Sequence, residues 1–366
     1  MAKYLDEYKE PRVVGEFVRR VAALAQGCGR KVRLMEVCGT HTMAAKRMGF
    51  SSMVPEGLEL ISGPGCPVCV SPDSYLQKAV AYARRKDVTV STFGDMVRVP
   101  VGGTSLQREG SRYGNVVIVY SPADSLEIAA QNPGKRVVFL GIGFETTAPA
   151  IAATVMMARE RKIKNFFVLG GNKLMPPVLR KLAREGPGVH GLICPGHVST
   201  IIGSLPYEFL AREYLVPCVV AGFEPVDILQ AVAMLLKQIA SGEAKVEVQY
   251  LRAVKEEGNR KALEIMHRVF EPCDSEWRGL GEIKGSGLRL KKEFSKFDAS
   301  EQVPVEHQVS AEDTGCICGE ILCGKKKPTD CALFGNRCKP DSPIGPCMVS
   351  SEGTCAAYYR YGDFER

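Results

Sequence analysis

Eight short apolar runs rich in β-branched residues constrain the fold of this chain more than any other feature. Helical patterns or groups of small polar residues separate them. Buried apolar strands that alternate with helices are typical of parallel α/β sheets, so we predict an α/β fold with parallel sheets flanked by helices. The predicted strands cover residues 32–37, 58–62, 87–92, 115–120, 136–142, 165–170, 189–195 and 217–223. The predicted helices cover residues 12–27, 73–85, 122–131, 149–161, 176–184 and 225–241. After them, residues 246–270 (VEVQYLRAVKEEGNRKALEIMHRVF) predict one long charged helix.

Unusual groups of small and polar residues follow most of the predicted strands. Ligands of open α/β sheets collect at the carboxyl ends of strands, so these groups hold the candidate site residues. The groups are CGTHT (38–42), GPGCPVC (63–69), FGDM (93–96), GFETTAP (143–149), PGHVST (195–200) and GFEP (222–225). Their candidate side chains are Cys38, His41, Cys66, Cys69, Asp95, Glu145, Thr146, Thr147 and His197.

Cys38 and His41 stand three residues apart where a predicted strand leads into a helix. Amide donors and the positive end of a helix dipole at such a position favour a thiolate, the form that binds iron or attacks a disulfide. The alternative is that Cys38 is a small apolar core residue and His41 a hydrogen-bonded polar one.

Cys66 and Cys69 form a C-x-x-C pair within SGPGCPVCVSP. The enclosed proline resembles thiol–disulfide sites in composition, but a thioredoxin-type pair stands at the start of a helix in its own compact domain. The pair by itself leaves redox chemistry, metal ligation and simple packing open.

Asp95, Glu145 with its two neighbouring threonines, and His197 are candidates for acid–base or hydrogen-bonding roles. Helix capping is the alternative, because Ser, Thr and Asp are favoured at N-caps. The sequence contains no G-x-x-x-x-G-K-[ST] loop and no strong G-x-G-x-x-G motif, so nucleotide binding is unsupported. The net charge of +7 comes with scattered basic residues, which disfavours nucleic-acid binding.

Seven of the 14 cysteines lie between Cys316 and Cys355, in a stretch rich in glycine and proline. The amino-terminal segment is charged and lacks the apolar core of a signal peptide, so we expect a cytoplasmic protein. In that reducing compartment, many cysteines indicate metal ligation or redox chemistry. The wide spacings favour an iron–sulfur cluster over zinc, with zinc and unliganded or disulfide-bonded cysteines as alternatives. The remaining isolated cysteines, expected to be buried core residues, are Cys28, Cys194, Cys218 and Cys273.

The joint occurrence of MEVCGTHT, GPGCPVC, FGDM, GFETTAP, PGHVS and GPCMVSSEGTCAAYYRYG closely resembles the HypD family of [NiFe] hydrogenase maturation factors. The resemblance implies two α/β domains with parallel sheets that face each other across a cleft, and a smaller Cys-rich domain with a [4Fe–4S] cluster. We place the first domain at residues 30–130 and the second at residues 131–240. The third, helical and Cys-rich, takes residues 1–29 together with 241–366.

The family's ligand pattern C-x14-C-x6-C-x16-C, laid on this sequence, assigns the cluster to Cys316, Cys331, Cys338 and Cys355. Cys318 and Cys347 lie outside the pattern, and Cys323 is an extra cysteine. The resemblance also implies that Cys38 carries iron while cyanide and CO are attached to make the Fe(CN)2CO group. Cys69 is a second candidate ligand, and the Cys66–Cys69 pair is expected first to relay electrons. Glu145, Thr146, Thr147 and His197 are expected to line the cleft, and His41 is a further candidate site residue beside Cys38 in the sequence.

The partners implied by the resemblance are a HypC-type chaperone, which supplies a further thiolate, and HypE, which delivers cyanide after modification by HypF. We expect a monomer within heteromeric complexes, without nucleic acid or membrane. The predicted function is an assembly scaffold with redox capability rather than an enzyme that turns over a metabolite. Two alternatives stay open: a ferredoxin-dependent thiol–disulfide oxidoreductase, and a zinc-stabilised binding module.

Overall fold

A computed structural model of the protein describes residues 6–186, 188–306 and 314–362. Parts of the predicted domains, residues 1–5, 187, 307–313 and 363–366, lie outside the described residues. The strands are β1 (Val32–Glu36), β2 (Leu58–Ser62), β3 (Val88–Thr92), β4 (Val116–Ile118), β5 (Arg136–Gly141), β6 (Phe166–Gly170), β7 (Gly191–Pro195), β8 (Cys218–Ala221), β9 (Val246–Val248), β10 (Phe270–Trp277) and β11 (Gly281–Leu290).

The strands described form two parallel sheets and one hairpin. The first sheet has the order β2-β1-β7-β8-β9 and the second β4-β3-β5-β6, with every neighbouring pair parallel. β10 and β11 pair as an antiparallel hairpin. The structure is therefore α/β with parallel sheets, as the sequence predicts.

Helices connect and flank these strands. The α-helices are α1 (Pro11–Gly27), α2 (Gly39–Arg47), α3 (Phe50–Met53), α4 (Pro67–Val70), α5 (Asp73–Ala83), α6 (Gly94–Val97), α7 (Leu106–Tyr113), α8 (Asp124–Gln131), α9 (Ala148–Glu160), α10 (Met175–Glu185), α11 (Gly196–Ile202), α12 (Glu208–Tyr214), α13 (Pro225–Ser241), α14 (Arg260–Val269), α15 (Ala299–Gln302), α16 (Cys318–Leu322), α17 (Pro346–Val349) and α18 (Thr354–Tyr361). Short 3-10 helices cover Asp6–Tyr8, Leu205–Tyr207, Lys292–Phe297 and Pro328–Asp330.

The central strands are buried on both faces, which is why their sequences are continuously apolar. Every residue of β3 and of β7 is buried. Parallel strands of this kind require helices on both faces of the sheet. On the first sheet, α1 packs against α13, and α13 begins with Pro225 and a capping box between Glu224 and Asp227.

The chain leaves the first sheet after β2, builds the whole second sheet, and returns to the first sheet at β7. β1 consequently pairs with β2 on one side and with β7 on the other. The predicted division at residue 130 falls between β4 and β5, inside the second sheet. Likewise α1, which the sequence grouped with the Cys-rich region, packs on the first sheet.

The Cys-rich segment, residues 314–362, contains only short helices and turns. Its hydrophobic residues, Cys347 among them, join a cluster that also contains residues of both sheets, such as Met35 of β1 and Val138 of β5. α17 packs against α4 and α18 against α2, the two helices that follow β2 and β1. The segment therefore covers the carboxyl ends of these two strands.

Every predicted strand and helix up to residue 241 is confirmed, with ends within two residues of those observed. The prediction of one helix over residues 246–270 is wrong. Val246–Val248 instead extends the first sheet as β9, and α14 begins only at Arg260. Gly258 has a φ of 70°, and Asn259 accepts a hydrogen bond from the Ala262 amide, so the chain turns and caps a new helix there. None of the helices described is long and apolar enough to cross a membrane.

Candidate functional site

The candidate site lies at the carboxyl edge of the first sheet, where β1 and β2 end side by side. Cys38 is the N-cap residue of α2 and is buried. The Gly39 amide donates to the Gly65 carbonyl at 3.0 Å. A Cβ atom at Gly65 would lie 2.3 Å from the Cys38 nitrogen, so only glycine lets the two loops pack this closely. The CGTHT and GPGCPVC motifs thus form one unit.

Burial controls the ionisation of Cys38. It raises the pKa of the Cys38 thiol to about 12, with a smaller increase from the charge of Glu352. The amides of Thr40 and His41 act in the opposite direction but do not compensate. The expected thiolate at a helix start is therefore wrong for the protein without metal. A bound cation would have to displace the proton, which is how metal binding couples to thiol ionisation.

His41, three residues after Cys38 in α2, presents an unprotonated ring nitrogen. Its Nε2 donates to the carbonyls of Gly222 at 2.9 Å and Ala221 at 3.2 Å, which fixes the tautomer. Nδ1 is buried and has no hydrogen-bond partner among the described residues. Burial lowers the pKa of His41 to about 4, so the ring stays neutral and Nδ1 keeps its lone pair.

Phe223 connects His41 to His197. The Phe223 ring stacks on His41 with centroids 4.7 Å apart and on His197 with centroids 4.0 Å apart. His197 follows β7, so the PGHVST motif reaches the same edge as CGTHT. Burial lowers the pKa of His197, while the charge of Glu352 raises it.

Glu352 is a site residue that the sequence reasoning missed. Its Oε1 accepts a hydrogen bond from Thr40 Oγ1 at 2.6 Å, and its carboxylate acts electrostatically on Cys38 and His197. The residue stands in the MVSSEGTC stretch, where only the cysteines drew attention. Its role depends on how the Cys-rich segment docks on α2, which no local pattern reveals.

Cys66 and Cys69 are in direct contact. Cys66 is the N-cap of α4, and its Sγ lies 2.6 Å from that of Cys69. This separation is longer than a disulfide bond, and both residues are free thiols. Cys66 also donates to Ser350 Oγ at 3.2 Å, and Ser350 donates to Asp95 at 3.3 Å. The FGDM motif therefore reaches the pair through the Cys-rich segment.

A line of sulfur contacts continues from this pair to the Cys-rich segment. Cys347 hydrogen-bonds to Cys69, and its sulfur lies 2.9 Å from that of Cys318. Cys318 in turn hydrogen-bonds to Cys316. We call these five residues, Cys66, Cys69, Cys347, Cys318 and Cys316, the sulfur chain. Cys318 and Cys347 were left without a role by the sequence, and they occupy its middle.

The four cysteines assigned to a cluster by the family pattern lie close together. Cys355 is buried, and burial together with the charges of Cys316, Cys338 and Cys331 raises its pKa. Among the described residues, no three His, Cys, Asp or Glu side chains are arranged to hold a single metal ion. A [4Fe–4S] cluster takes one thiolate on each of four irons, so its ligands need not converge on one point. The donor set, four neighbouring thiols of which three lie in loops and Cys355 in α18, fits such a cluster.

The GFETTAP motif ends β5 in the second sheet and joins the site only indirectly. Glu145 Oε1 accepts from the Met175 amide at 2.8 Å, whereas its buried Oε2 has no partner among the described residues. Burial raises the pKa of Glu145 to about 7. Thr147 hydroxyl bonds to the carbonyls of Ile142 and Phe144 hold the turn, and Thr146 is exposed. The buried Tyr207 interacts electrostatically with both Glu145 and Cys38.

A sequence model of HypD, described as the hydrogenase formation hypA family, matches residues 12–362. The chain belongs to the HypD family. One relative, "Hydrogenase expression/formation protein HupD" of Azotobacter chroococcum mcd 1, is 46% identical and the match covers 98% of this chain and 97% of the relative. "Hydrogenase maturation factor HypD" of Cupriavidus necator is 44% identical over 99% and 98% of the two chains. The HypD of Escherichia coli K12 is 43% identical over 98% of each. These HypD proteins therefore match the present chain along nearly its whole length.

Proposed function

We propose that this protein is a hydrogenase maturation factor that holds iron at Cys38 while cyanide and CO ligands are attached. Membership of the HypD family and the printed names of its relatives support a role in hydrogenase maturation. One observation carries the finer proposal. The buried Cys38 and the bare Nδ1 of His41 belong to the same CGTHT motif, at an edge that the sulfur chain connects to four clustered cysteines.

Iron is the substrate in this proposal, and the site suits it chemically. Low-spin iron with cyanide and CO favours thiolate donors and a site screened from water. Cys38 is only 7% exposed, and its proton leaves only when a cation replaces it. The second thiolate comes from a HypC-type chaperone, and cyanide from HypE modified by HypF. In this proposal the two sheets belong to two domains that face each other across a cleft, where these partners meet iron.

His41, His197, Glu145 and Glu352 have distinct parts in the proposal. His41 Nδ1 accepts a proton or donates its lone pair to the cargo, because its Nε2 is already committed to carbonyls. Glu352 balances the positive charge of bound iron beside Cys38 and His197. Glu145, with a pKa of about 7, handles protons at the second sheet. Thr146 and Thr147 shape the turn that presents Glu145.

A [4Fe–4S] cluster held by Cys316, Cys331, Cys338 and Cys355 would supply single electrons when bound. The sulfur chain begins at Cys316 and ends at Cys66, so it spans the distance between these cysteines and the Cys38 loop. Oxidation of Cys66 and Cys69 forms one S–S bond, releases two protons and passes two electrons to the ligand chemistry at iron; two single electrons from the cluster cysteines' side and two protons would then restore both thiols. The pair is already in sulfur contact, so little movement is required. We therefore assign the Cys66–Cys69 pair first to electron relay and only second to iron ligation, through Cys69.

Infrared spectroscopy tests the iron proposal. The protein is purified anaerobically with a HypC-type chaperone after synthesis with all maturation partners, and bands are sought at cyanide and carbonyl stretching frequencies. Such bands are expected in the wild type, expected to vanish in Cys38→Ala, and expected to persist in the control Cys28→Ala, whose thiol donates to the carbonyls of Leu24 and Leu236 and is not part of the sulfur chain. A complex without these bands, prepared with every partner present, would rule out the scaffold.

The direct contact between Cys66 and Cys69 also favours a second function, a thiol–disulfide oxidoreductase. That function requires the sulfur chain but not Cys38 or His41. If Cys38→Ala retains full activity in hydrogenase maturation while Cys69→Ser loses it, the oxidoreductase becomes the better assignment. Loss of brown colour in Cys331→Ser and Cys338→Ser, with colour retained in Cys323→Ser, distinguishes a cluster from zinc or from unliganded cysteines.

A further inference from the structure

A groove at the amino-terminal ends of β5 and β6 has a cavity volume of about 700 Å³. It lies where β5 and β6 begin and where α9 ends. Pockets of this size are typical of binding sites for small molecules or short peptide segments. We call it the basic groove, because its charged residues are Lys135, Arg136, Arg159, Lys162, Lys164 and Lys296.

The charge of the basic groove is of one sign. None of the described residues that line it is acidic. Only Arg159 forms an ion pair, a 3.8 Å contact with the exposed Glu293, and the described structure gives the other five no carboxylate within 4.0 Å. Like charges gathered in a concave surface repel one another and attract an anionic ligand.

Two features fix the shape of the groove in advance of binding. Asn165 Nδ2 donates to the carbonyls of Ala129, Asn132 and Lys135 at 2.9, 3.1 and 2.9 Å, which anchors the turn before β5. Lys162 has a φ of 56°, in the left-handed region where glycine is favoured. Lysine disfavours this backbone conformation, and its presence at the rim nevertheless gives the groove a further positive charge.

The surroundings favour an acidic peptide over a phosphate ligand. The last turn of α9 lines the groove, so the negative end of its dipole opposes any anion there, and it opposes the concentrated charge of a polyphosphate more than carboxylates spaced along a chain. The Phe167 and Phe297 rings are 8% and 2% exposed, and thus offer no surface for a nucleobase to stack on. Cations carried on separate elements match carboxylates spaced along an extended chain. We infer that the basic groove binds an acidic peptide segment of a partner protein.

The probe for this inference is a fluorescein-labelled peptide of alternating glutamate and serine, measured by fluorescence anisotropy with the full-length protein. Its counterpart with glutamine at each glutamate position is the neutral control. Binding is expected only for the acidic peptide, and it is expected to weaken as salt rises from about 50 to about 300 mM. The combined variant Lys135→Gln, Lys162→Gln and Lys164→Gln is expected to bind about tenfold more weakly.

A charge-matched variant makes the test specific. Lys237→Gln, Lys261→Gln and Lys284→Gln remove the same charge from exposed lysines that do not line the groove, so binding is expected to be unchanged. Circular dichroism confirms that both variants fold. Equal weakening in the two variants, or no binding of the acidic peptide to the wild type, overturns the inference. Binding of tripolyphosphate without binding of the peptide overturns it as well, and assigns the groove to phosphate ligands.

Discussion

Thr40 donates a hydrogen bond of 2.6 Å from its Oγ1 to Oε1 of Glu352, across 312 residues of sequence. This contact joins the helix that follows Cys38 to the Cys-rich segment. It places a carboxylate over the candidate iron site and keeps the sulfur chain close to Cys38. The geometry of the site therefore depends on how the Cys-rich segment packs against α2.

Gly39→Ala is expected to disturb that fit. A Cβ atom at Gly39 would lie 2.4 Å from the Glu352 carbonyl oxygen and 2.7 Å from its Cβ, so the segment has to move away. Overpacking of this kind lowers the free energy of unfolding by about 1–3 kcal/mol. Urea unfolding measures the loss. The control is Gly57→Ala, because a Cβ there meets nothing within 4 Å. Equal stability of the two variants would contradict the packing described.

Cys347→Ser is expected to interrupt the sulfur chain while leaving the Cys66–Cys69 pair intact. Serine cannot take part in thiol–disulfide exchange. In cluster-containing protein whose Cys66–Cys69 pair has first been oxidised, dithionite is expected to reduce that disulfide at least about tenfold more slowly than in the wild type. Alkylation followed by mass spectrometry gives the rate. Cys323→Ser is the matched control, since the Cys323 thiol donates to the Gly279 carbonyl and is not part of the sulfur chain. Similar rates in all three proteins would exclude Cys347 from the route.

Glu145→Gln is expected to change how stability depends on pH. Burial raises the pKa of Glu145 from 4.5 to about 7 in the folded protein. Between these values the unfolded chain releases the proton while the folded protein keeps it, so the contribution of Glu145 to stability falls as pH rises. Because glutamine does not titrate, the free energy of unfolding of Glu145→Gln relative to that of the wild type is expected to increase by on the order of 3 kcal/mol from pH 4.5 to pH 7. Urea unfolding across this range measures the effect, and parallel pH profiles would contradict it.

Lys162→Gly is expected to stabilise the protein and to weaken the basic groove at the same time. Glycine adopts the left-handed conformation of residue 162 without steric strain, and relief of that strain contributes about 1 kcal/mol. Lys164→Gly removes the same charge from a residue without positive φ, so its stability is expected to fall instead. Thermal unfolding compares the two variants. A lower melting temperature for both would show that Lys162 is not strained.

Local sequence patterns were sufficient to predict the strands, the helices before residue 241 and the strand ends that carry the site. Cys38, Cys66 and His197 were expected at such ends, and they do meet at one sheet edge. Hydrophobic periodicity cannot say which strands pair, because it reflects burial and not the identity of the neighbour. The pairing of β1 with β7 was therefore invisible. The helical spacing of apolar residues after Val246 concealed a strand and a turn, because tertiary pairing with β8 overrides that periodicity.

The residues that sequence reasoning missed share one property. Glu352, Cys347 and Cys318 gain their contacts only when the Cys-rich segment folds onto α2 and α4. Phe223 was quoted within GFEP, but its stacking between two histidines requires β7 and β8 to be neighbours. In each case the signal lies in long-range packing. The number of cysteines indicated metal or redox chemistry in this region, but it did not indicate which sulfur atoms are in contact.

The interrupted first sheet has a consequence for synthesis on the ribosome. All four strands of the second sheet have been made by residue 170, whereas β1 obtains its second neighbour only with β7 at residues 191–195. Domains generally fold in the order in which they emerge, and long-range parallel pairing is slow. We therefore expect the second sheet to form first, and we expect β1 to stay unpaired on one side until β7 has been synthesised. The pocket around Cys38 is completed only when the Cys-rich segment, residues 314–362, has left the ribosome and docked on α2 and α4. Until then Cys38 lacks the cover that Glu352 provides through its hydrogen bond with Thr40.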